Sequence, residues 1–163
     1  MEIRKIKKTD NKSTANLIKK VFEEHNAPKE GTVYSDSTTN NLYELFKKEK
    51  SVFWVIAEQN DILGCCGVYP TEGLPDCCVE LVKFYLSPEA RGKGLGKKLM
   101  QQNIESARKL GYSELYLESL PEFSNAVTMY EKIGFKKLEK PLGTSGHFSC
   151  DIWMIKNLST KEK

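Results

Sequence analysis

The sequence lacks any apolar run long enough to cross a membrane. Hydrophobic residues make up 39% of the 163-residue chain, but no segment approaches the ~20 consecutive apolar residues that a membrane-spanning helix needs. The first residues, Met1 to Ile6, also lack the apolar core of a secretory signal. We therefore predict no membrane partner and a cytoplasmic location.

An excess of charge of one sign is also missing. The chain carries 25 lysines and arginines against 22 acidic residues, which gives a net charge of +3. Nucleic-acid-binding domains usually carry clustered basic side chains and a recognisable binding motif, and neither is evident here. We predict no nucleic-acid partner. The one local concentration of basic residues, Arg91 to Lys98, has a different interpretation, given below.

The cysteines provide no framework for disulfides. There are five, Cys65, Cys66, Cys77, Cys78 and Cys150, and no C-x-x-C spacing occurs. Neighbouring residues on a strand point to opposite faces, so each adjacent pair should be divided between the two faces of a sheet. We predict that the cysteines are small apolar residues within β-structure and that the protein has no metal site. Soft-metal or redox chemistry is the alternative.

The length of the chain suits a single domain, over residues 1–163, and hydrophobic periodicity predicts that it mixes helices and strands. Apolar residues recur at helical spacing over about 10–25, 38–48, 95–110 and 121–134. Strand-forming residues predict strands at about 3–6, 51–58, 62–69, 77–86, 115–117, 135–138 and 150–155. We predict an α/β (α+β) fold whose mixed, mostly antiparallel central sheet has helices on both faces. The polar residues 157–163 are predicted to form a disordered tail.

The segment most informative about chemistry runs from Leu86 to Lys97. A predicted strand ends there, a basic glycine-rich turn follows, and a helix begins. The first turn of a helix has unpaired N–H groups and the positive end of the helix dipole, and glycines allow a ligand to approach the backbone closely. The segment therefore predicts a pyrophosphate site. Neither the Walker nor the G-x-G-x-x-G pattern fits, because counting from Gly92 places Lys97 where each requires glycine.

Two motifs resemble those of the GNAT acetyltransferase superfamily. Arg91-Gly92-Lys93-Gly94-Leu95-Gly96 resembles its R/Q-x-x-G-x-G/A signature, and Asn125 to Phe135 resembles its N-A-x-x-x-Y-x-x-x-G-F segment. The resemblance implies acetyl-CoA as co-substrate, held beside splayed strands, with its pyrophosphate on the glycine turn. The cofactor-binding residues that it implies are Phe84, Tyr85, Leu86, Arg91, Gly92, Lys93, Gly94, Leu95, Gly96, Lys97, Asn125 and Tyr130.

The same resemblance suggests catalytic roles. Tyr130 matches a tyrosine that donates a hydrogen bond or proton to the departing sulfur, although its place on an apolar helix stripe also fits core packing. Glu80 is the candidate general base, and strand alternation should place it on the same face as Phe84. Glu118 and His147 are candidates at the acceptor site, since a loop histidine can titrate near neutral pH. Glu118 is also a second candidate for the general base, and Glu80 and His147 could instead be surface residues.

The resemblance predicts an enzyme that transfers an acetyl group from acetyl-CoA to a primary amine. The amine, on a small molecule or a peptide, would attack the thioester directly through a tetrahedral intermediate. The alternative is a non-catalytic acyl-CoA-binding sensor or regulatory module with the same fold. A homodimer is compatible with the resemblance, but no segment of the sequence identifies an interface.

Overall fold

All the strands predicted from the sequence belong to one sheet. The computed structural model of the protein describes residues 1–159. In that range the strands are β1 (Glu2–Lys5), β2 (Val52–Glu58), β3 (Asp61–Tyr69), β4 (Cys78–Leu86), β5 (Glu114–Ser119), β6 (Lys136–Leu138) and β7 (Ile152–Asn157). The order across the sheet is β1-β2-β3-β4-β5-β7-β6. Every neighbouring pair is antiparallel except β4 and β5, which confirms the mixed, mostly antiparallel sheet.

The helices cover both faces of the sheet, as predicted. They are α1 (Asn11–Glu24), α2 (Leu42–Leu45), α3 (Leu95–Lys109) and α4 (Ser124–Ile133). The apolar stripe of α1 packs into a core on one face, and those of α3 and α4 form a second core on the other. The adjacent Cys65 and Cys66 are buried on these two opposite faces, as strand alternation requires.

The second helix is much shorter than predicted. Residues 38–48 show helical spacing, but only a single α-helical turn forms, preceded by a 3-10 turn over Ser37–Asn40. Asp36 caps that 3-10 turn by accepting a hydrogen bond from the Thr38 N–H at 3.0 Å. At Asn41 the backbone leaves the helical region, with φ −133° and ψ 48°. A local cap and a backbone break therefore outweigh the periodic pattern.

The sheet opens between β4 and β5. These parallel strands pair only at Cys78–Glu114, Val79–Leu115 and Glu80–Tyr116. Beyond Glu80 they diverge, so that the later residues of both strands border a gap that is not bridged by backbone hydrogen bonds. The splayed strands predicted at the cofactor site are confirmed.

A β-bulge in β4 changes which residues share a face. In the pairing of β3 with β4, Cys65 is opposite Tyr85 but Gly67 is opposite Val82, so β4 contains one extra residue. Lys83, within the bulge, has φ +56°. The extra residue reverses the alternation of side chains. The prediction that Glu80 shares a face with Phe84 is therefore wrong.

The C-terminal segment is more ordered than predicted. Asn157 is the last residue of β7. Leu158 is buried, and its N–H donates to the Ser113 carbonyl oxygen at 2.8 Å. The prediction of a disordered tail from residue 157 is thus wrong for Asn157 and Leu158. Residues 160–163 of the predicted tail lie outside the described part of the chain. No helix within residues 1–159 has the length and apolar character of a membrane span.

Candidate functional site

The gap between β4 and β5 opens into a cavity of about 470 Å³. Its lining includes residues from both faces of the sheet, so the cavity connects the α3–α4 side with the α1 side. The predicted site residues that line it are Glu80, Phe84, Tyr85, Leu86, Arg91, Gly92, Gly94, Gly96, Glu118, Asn125, Tyr130 and His147. The structure therefore brings most of the predicted site together around one opening.

The glycine turn has the geometry that an anion site needs. Gly92 and Gly94 have φ +73° and +74°, and a Cβ atom at either position would meet no other atom within 4 Å. Gly94 is the N-cap of α3, and the helical hydrogen bonds begin with the Lys98 N–H donating to its carbonyl oxygen at 3.2 Å. The preceding N–H groups of the first turn have no intrahelical acceptor. The open side of this turn fits a pyrophosphate.

The side chains around this turn do not all behave as the resemblance implies. The Arg91 guanidinium is held by Glu24, with an Nη1–Oε1 distance of 2.6 Å, and by the carbonyl oxygen of Leu86. Arg91 therefore ties the turn to the end of α1. The side chains of Lys93, Leu95 and Lys97 do not line the cavity. A role for these three residues in cofactor binding, through their N–H groups or side-chain charge, stays a prediction.

Asn125 lies in the first turn of α4 and faces the cavity. The N-cap position of α4 is occupied by Phe123, and no side chain caps the helix. Of the two roles considered for Asn125, capping is excluded in this structure. Contact with the cofactor stays a prediction.

The backbone of β4 presents a hydrogen-bond donor to the gap. The Ser87 N–H donates to the Leu63 carbonyl oxygen of β3 at 2.8 Å. Successive N–H groups of a strand point to opposite sides, so the Leu86 N–H points away from β3 and towards the gap. A donor in this position can contact a carbonyl oxygen of a ligand that lies between β4 and β5.

Tyr130 belongs both to the core and to the cavity. It is buried, and its ring packs against Phe84 and Phe135 with centroid separations of 6.1 and 5.7 Å. Burial raises the pKa of its hydroxyl well above the usual value, because the phenolate would lose hydration. At neutral pH Tyr130 can therefore donate a hydrogen bond into the cavity while remaining neutral.

Glu80 is a buried carboxyl group in the cavity wall on the α1 side of the sheet. Its side chain accepts a hydrogen bond from the Thr71 hydroxyl at 2.7 Å. Burial, with a smaller contribution from the negative charge of Glu118, raises its pKa to about 7. A carboxyl group with this pKa can accept a proton near neutral pH.

Hydrogen bonds through Ser145, in the loop that precedes β7, connect Glu118 with His147. The Glu118 carboxylate accepts hydrogen bonds from the hydroxyl groups of Tyr116 and Ser145. The backbone N–H of His147 in turn donates a hydrogen bond to the Ser145 hydroxyl oxygen at 3.1 Å. The His147 Nε2 atom lies 3.3 Å from the Asp36 carboxylate. Both predicted acceptor residues therefore line the cavity, and both also hold this loop in place.

The sequence reasoning missed two charged residues on the same side. Lys83 lines the cavity, and its Nζ atom lies 4.0 Å from Asp36. The pKa of Asp36 is lowered, mainly by its hydrogen bond with His147. A lysine within the otherwise apolar run from Leu81 to Leu86 was the available signal for the first. Nothing in the local sequence distinguishes Asp36 from an ordinary loop residue.

Within residues 1–159, no three His, Cys, Asp or Glu side chains are arranged to hold a metal ion. Cys65, Cys66 and Cys78 are buried and free, as predicted for small apolar residues. Cys77 is exposed, so for this residue the prediction is wrong. It lies just before the first residue of β4.

Comparison with known proteins supports the family resemblance that the sequence motifs indicated. The sequence model of the acetyltransferase (GNAT) family matches residues 18–135. This chain belongs to the GNAT acetyltransferase family. The matched region includes the cavity-lining part of β4, the glycine turn and α4, so the family assignment covers the predicted cofactor side of the cavity.

The relatives of this GNAT protein carry acetyltransferase names. It is 31% identical over 157 residues to the uncharacterized N-acetyltransferase YjgM of Escherichia coli (strain K12), an alignment that covers 96% of this chain and 94% of that protein. It is 30% identical over 139 residues to N-acetyltransferase 8 of Homo sapiens, covering 84% of this chain and 56% of that protein. The chain thus spans nearly all of the bacterial relative and a little more than half of the human one.

Solved structures share the fold at low sequence identity. A GNAT family acetyltransferase from Staphylococcus aureus Mu50 superimposes with a TM-score of 0.82 at 18% identity, covering 97% of this chain and 99% of that one. YncA from Salmonella typhimurium, solved with its cofactor acetyl-CoA, gives a TM-score of 0.75 at 20% identity, covering 100% of this chain and 96% of that one. These similarities establish the fold.

Proposed function

We propose that this GNAT family member transfers the acetyl group of acetyl-CoA to a primary amine of a small molecule or peptide. The observation that carries the proposal is the cavity between β4 and β5, which joins the glycine turn on one face of the sheet to Glu80 on the other. A thioester that enters from the first face and an amine that enters from the second would meet in the gap.

The residues present fit the co-substrate. The turn at Gly92 and Gly94 leaves its backbone open, as close approach of a pyrophosphate requires. When bound, acetyl-CoA would supply the activated acetyl group. The Leu86 N–H, which points into the gap, would donate a hydrogen bond to the thioester oxygen as negative charge develops on it.

Glu80 would take the proton that the acceptor loses. An ordinary alkyl ammonium group has a pKa of ~10.4 and cannot attack a carbonyl carbon until it is deprotonated. Glu80, through a water molecule, would accept this proton, as its raised pKa allows. The amine nitrogen would then form a bond to the carbonyl carbon, its second proton would pass to water, and the tetrahedral intermediate would collapse as the C–S bond breaks and the electron pair leaves with the sulfur.

Tyr130 would stabilise the leaving thiolate with a hydrogen bond. Proton transfer from tyrosine to a thiolate is uphill by about 2 kcal/mol even at their ordinary pKa values of ~10 and ~8.5. Burial raises the pKa of Tyr130 further, which makes full transfer still less favourable. We therefore assign Tyr130 as a hydrogen-bond donor, and the released thiolate would take up a proton from water afterwards.

The test is release of free CoA from acetyl-CoA across a panel of amines, with the Tyr130→Phe variant alongside. We expect amine-dependent release and an N-acetylated product, with kcat reduced about 10-fold to 100-fold in the variant, because the thiolate loses a donor. Binding of acetyl-CoA should change little, since the ring and its packing are retained.

Two other outcomes would contradict the proposal. Acetyl-CoA binding without turnover of any amine would favour the alternative, a non-catalytic sensor. If the protein does not bind acetyl-CoA, both the acetyltransferase proposal and the sensor alternative lose their basis. The cytoplasmic location and a homodimer stay predictions.

A further inference from the structure

Within residues 1–159, the buried Lys83 finds no hydrogen-bond acceptor of its own. Its side chain is only 5% exposed and lines the cavity. Among the described residues, the one carboxylate oxygen within 4.0 Å of its Nζ atom is Asp36 Oδ2, which is at 4.0 Å and thus beyond hydrogen-bond distance. The ammonium group is therefore largely withdrawn from bulk water, and among the described residues its nearest carboxylate lies beyond hydrogen-bond distance.

The Asp36 carboxylate already has other hydrogen-bond partners. One of its oxygens accepts hydrogen bonds from the Thr38 N–H at 3.0 Å and the Thr38 hydroxyl at 2.7 Å. The other lies 3.3 Å from His147 Nε2. The Lys83 ammonium group and the His147 ring thus converge on one side of the cavity, beside a carboxylate that already accepts hydrogen bonds from Thr38.

A buried ammonium group without an acceptor is unfavourable. Accordingly, burial lowers the pKa of Lys83. An anionic group on a ligand that enters the cavity would supply the missing acceptor, because a charge-assisted hydrogen bond between lysine and a carboxylate compensates for the lost hydration. The lysine therefore indicates a ligand with a negative group at this point.

The same cavity also contains negative charge. The carboxyl groups of Glu80 and Glu118 line it, and Glu80 is the group that would receive a proton from the acceptor amine. Cationic and anionic side chains thus both face the space in which the acceptor would lie. Phe22, Val33 and Phe123 provide an apolar part of the wall.

Resting on the proposed function, we propose that the acceptor is a zwitterion, an α-amino acid or a close derivative with a free carboxylate. The carboxylate would bind Lys83, the amine would face Glu80, and an apolar side chain would lie against Phe22 and Val33. An amine on a protein or peptide backbone, which has no neighbouring carboxylate, would leave Lys83 without an acceptor.

The experiment compares kcat/KM for matched acceptors: each common α-amino acid, its carboxamide and its decarboxylated amine. In the natural protein we expect a preference of about tenfold or more for the free acid over the other two, the usual effect of one buried charged hydrogen bond. In Lys83→Met, whose side chain is uncharged and one atom shorter, this preference should fall by about tenfold or more through a rise in KM for the acid.

The control is Lys109→Met, which removes an exposed lysine of α3 that does not line the cavity and should leave the ratio unchanged. Equal turnover of acid and carboxamide by the natural protein, or preference for peptides, would overturn this inference alone, even if Lys83→Met failed to fold. An equal loss for all acceptors in a folded Lys83→Met would assign Lys83 a structural role instead. No turnover of any amine would overturn the proposed function, and this inference with it.

Discussion

At the residue scale, Glu80 combines two properties that a general base requires. It is buried beside the gap in the sheet, and burial raises its pKa to about 7. Below that pH the carboxyl group holds a proton and cannot accept another. Above it the carboxylate is available, so catalysis should depend on pH in a range that is easily measured.

Turnover of a saturating amine should therefore rise with pH through a midpoint near 7. In Glu80→Gln, kcat should fall by about 10²-fold or more and lose this midpoint, because the amide cannot accept a proton. A pH profile of kcat for both proteins checks this. The control is Glu139→Gln, which alters an exposed glutamate. An unchanged midpoint in Glu80→Gln would assign the titration to another group.

The same substitution should stabilise the protein at high pH. The folded-state pKa of Glu80 is raised from 4.5 to about 7, so the folded state binds the proton more tightly than the unfolded state. The associated stability is fully present below pH ~4.5 and is lost as the pH rises through about 7, a change of about 3 kcal/mol.

Glu80→Gln does not titrate and keeps an oxygen that can accept the Thr71 hydrogen bond. Relative to the natural protein, its free energy of unfolding should therefore increase by about 3 kcal/mol between pH 4.5 and 8.5. Urea unfolding of both proteins at the two pH values measures this. A difference that is the same at both pH values would show that Glu80 is not a buried carboxylate with a raised pKa.

These residues differ in how far the sequence revealed them. Glu80 and Tyr130 were predicted as candidates, and both line the cavity. The alternation argument that placed Glu80 with Phe84 failed, because a bulge is specified by pairing with β3 and leaves no clear pattern in β4 itself. Asp36 could not be predicted, because only the folded chain brings it 3.3 Å from His147.

At the element scale, the start of α3 depends on glycine for two separate reasons. Gly94 has φ +74° as the N-cap, and its open side leaves space for a ligand. A Cβ atom there costs about 1–2 kcal/mol through the backbone conformation alone. The same atom would also obstruct an anion that approaches the first-turn N–H groups.

Gly94→Ala should therefore lose both stability and acetyl-CoA affinity. Gly111→Ala is a matched control, because Gly111 also has a positive φ, +93°, and a Cβ atom there would meet nothing within 4 Å, but it does not line the cavity. Thermal unfolding should show similar losses for both variants, and calorimetry should show weaker acetyl-CoA binding for Gly94→Ala only. Equal affinities would argue against a pyrophosphate site at this turn.

The elements were predictable where one signal dominated. Alternating and apolar runs identified all seven strands, and the stripe of α3 ended near Gly111 as predicted. The second helix was predicted to be too long, because the cap at Asp36 and the non-helical backbone of Asn41 do not affect hydrophobic spacing. Local hydrogen bonds thus decided what periodicity alone could not.

At the scale of the whole molecule, the proposed function depends on an opening that no single segment encodes. The parallel pairing of β4 with β5 ends at Glu80, and the cavity beyond it connects the two faces of the sheet. The glycine turn and Tyr130 lie on one side of this opening, while Glu80, Lys83 and His147 lie on the other. Sequence motifs predicted the first group. In the second, Glu80 and His147 were predicted and Lys83 was missed, because β4 and the loop before β7, which are distant in the chain, bring these residues together.

The most direct test of this arrangement is a crystal structure of the protein with acetyl-CoA. We predict the pyrophosphate on the backbone N–H groups of residues 92–97, the thioester in the gap between β4 and β5, and the sulfur within hydrogen-bond distance of the Tyr130 hydroxyl. Acetyl-CoA bound elsewhere, or with its thioester outside the gap, would contradict the proposed meeting of thioester and amine at this opening.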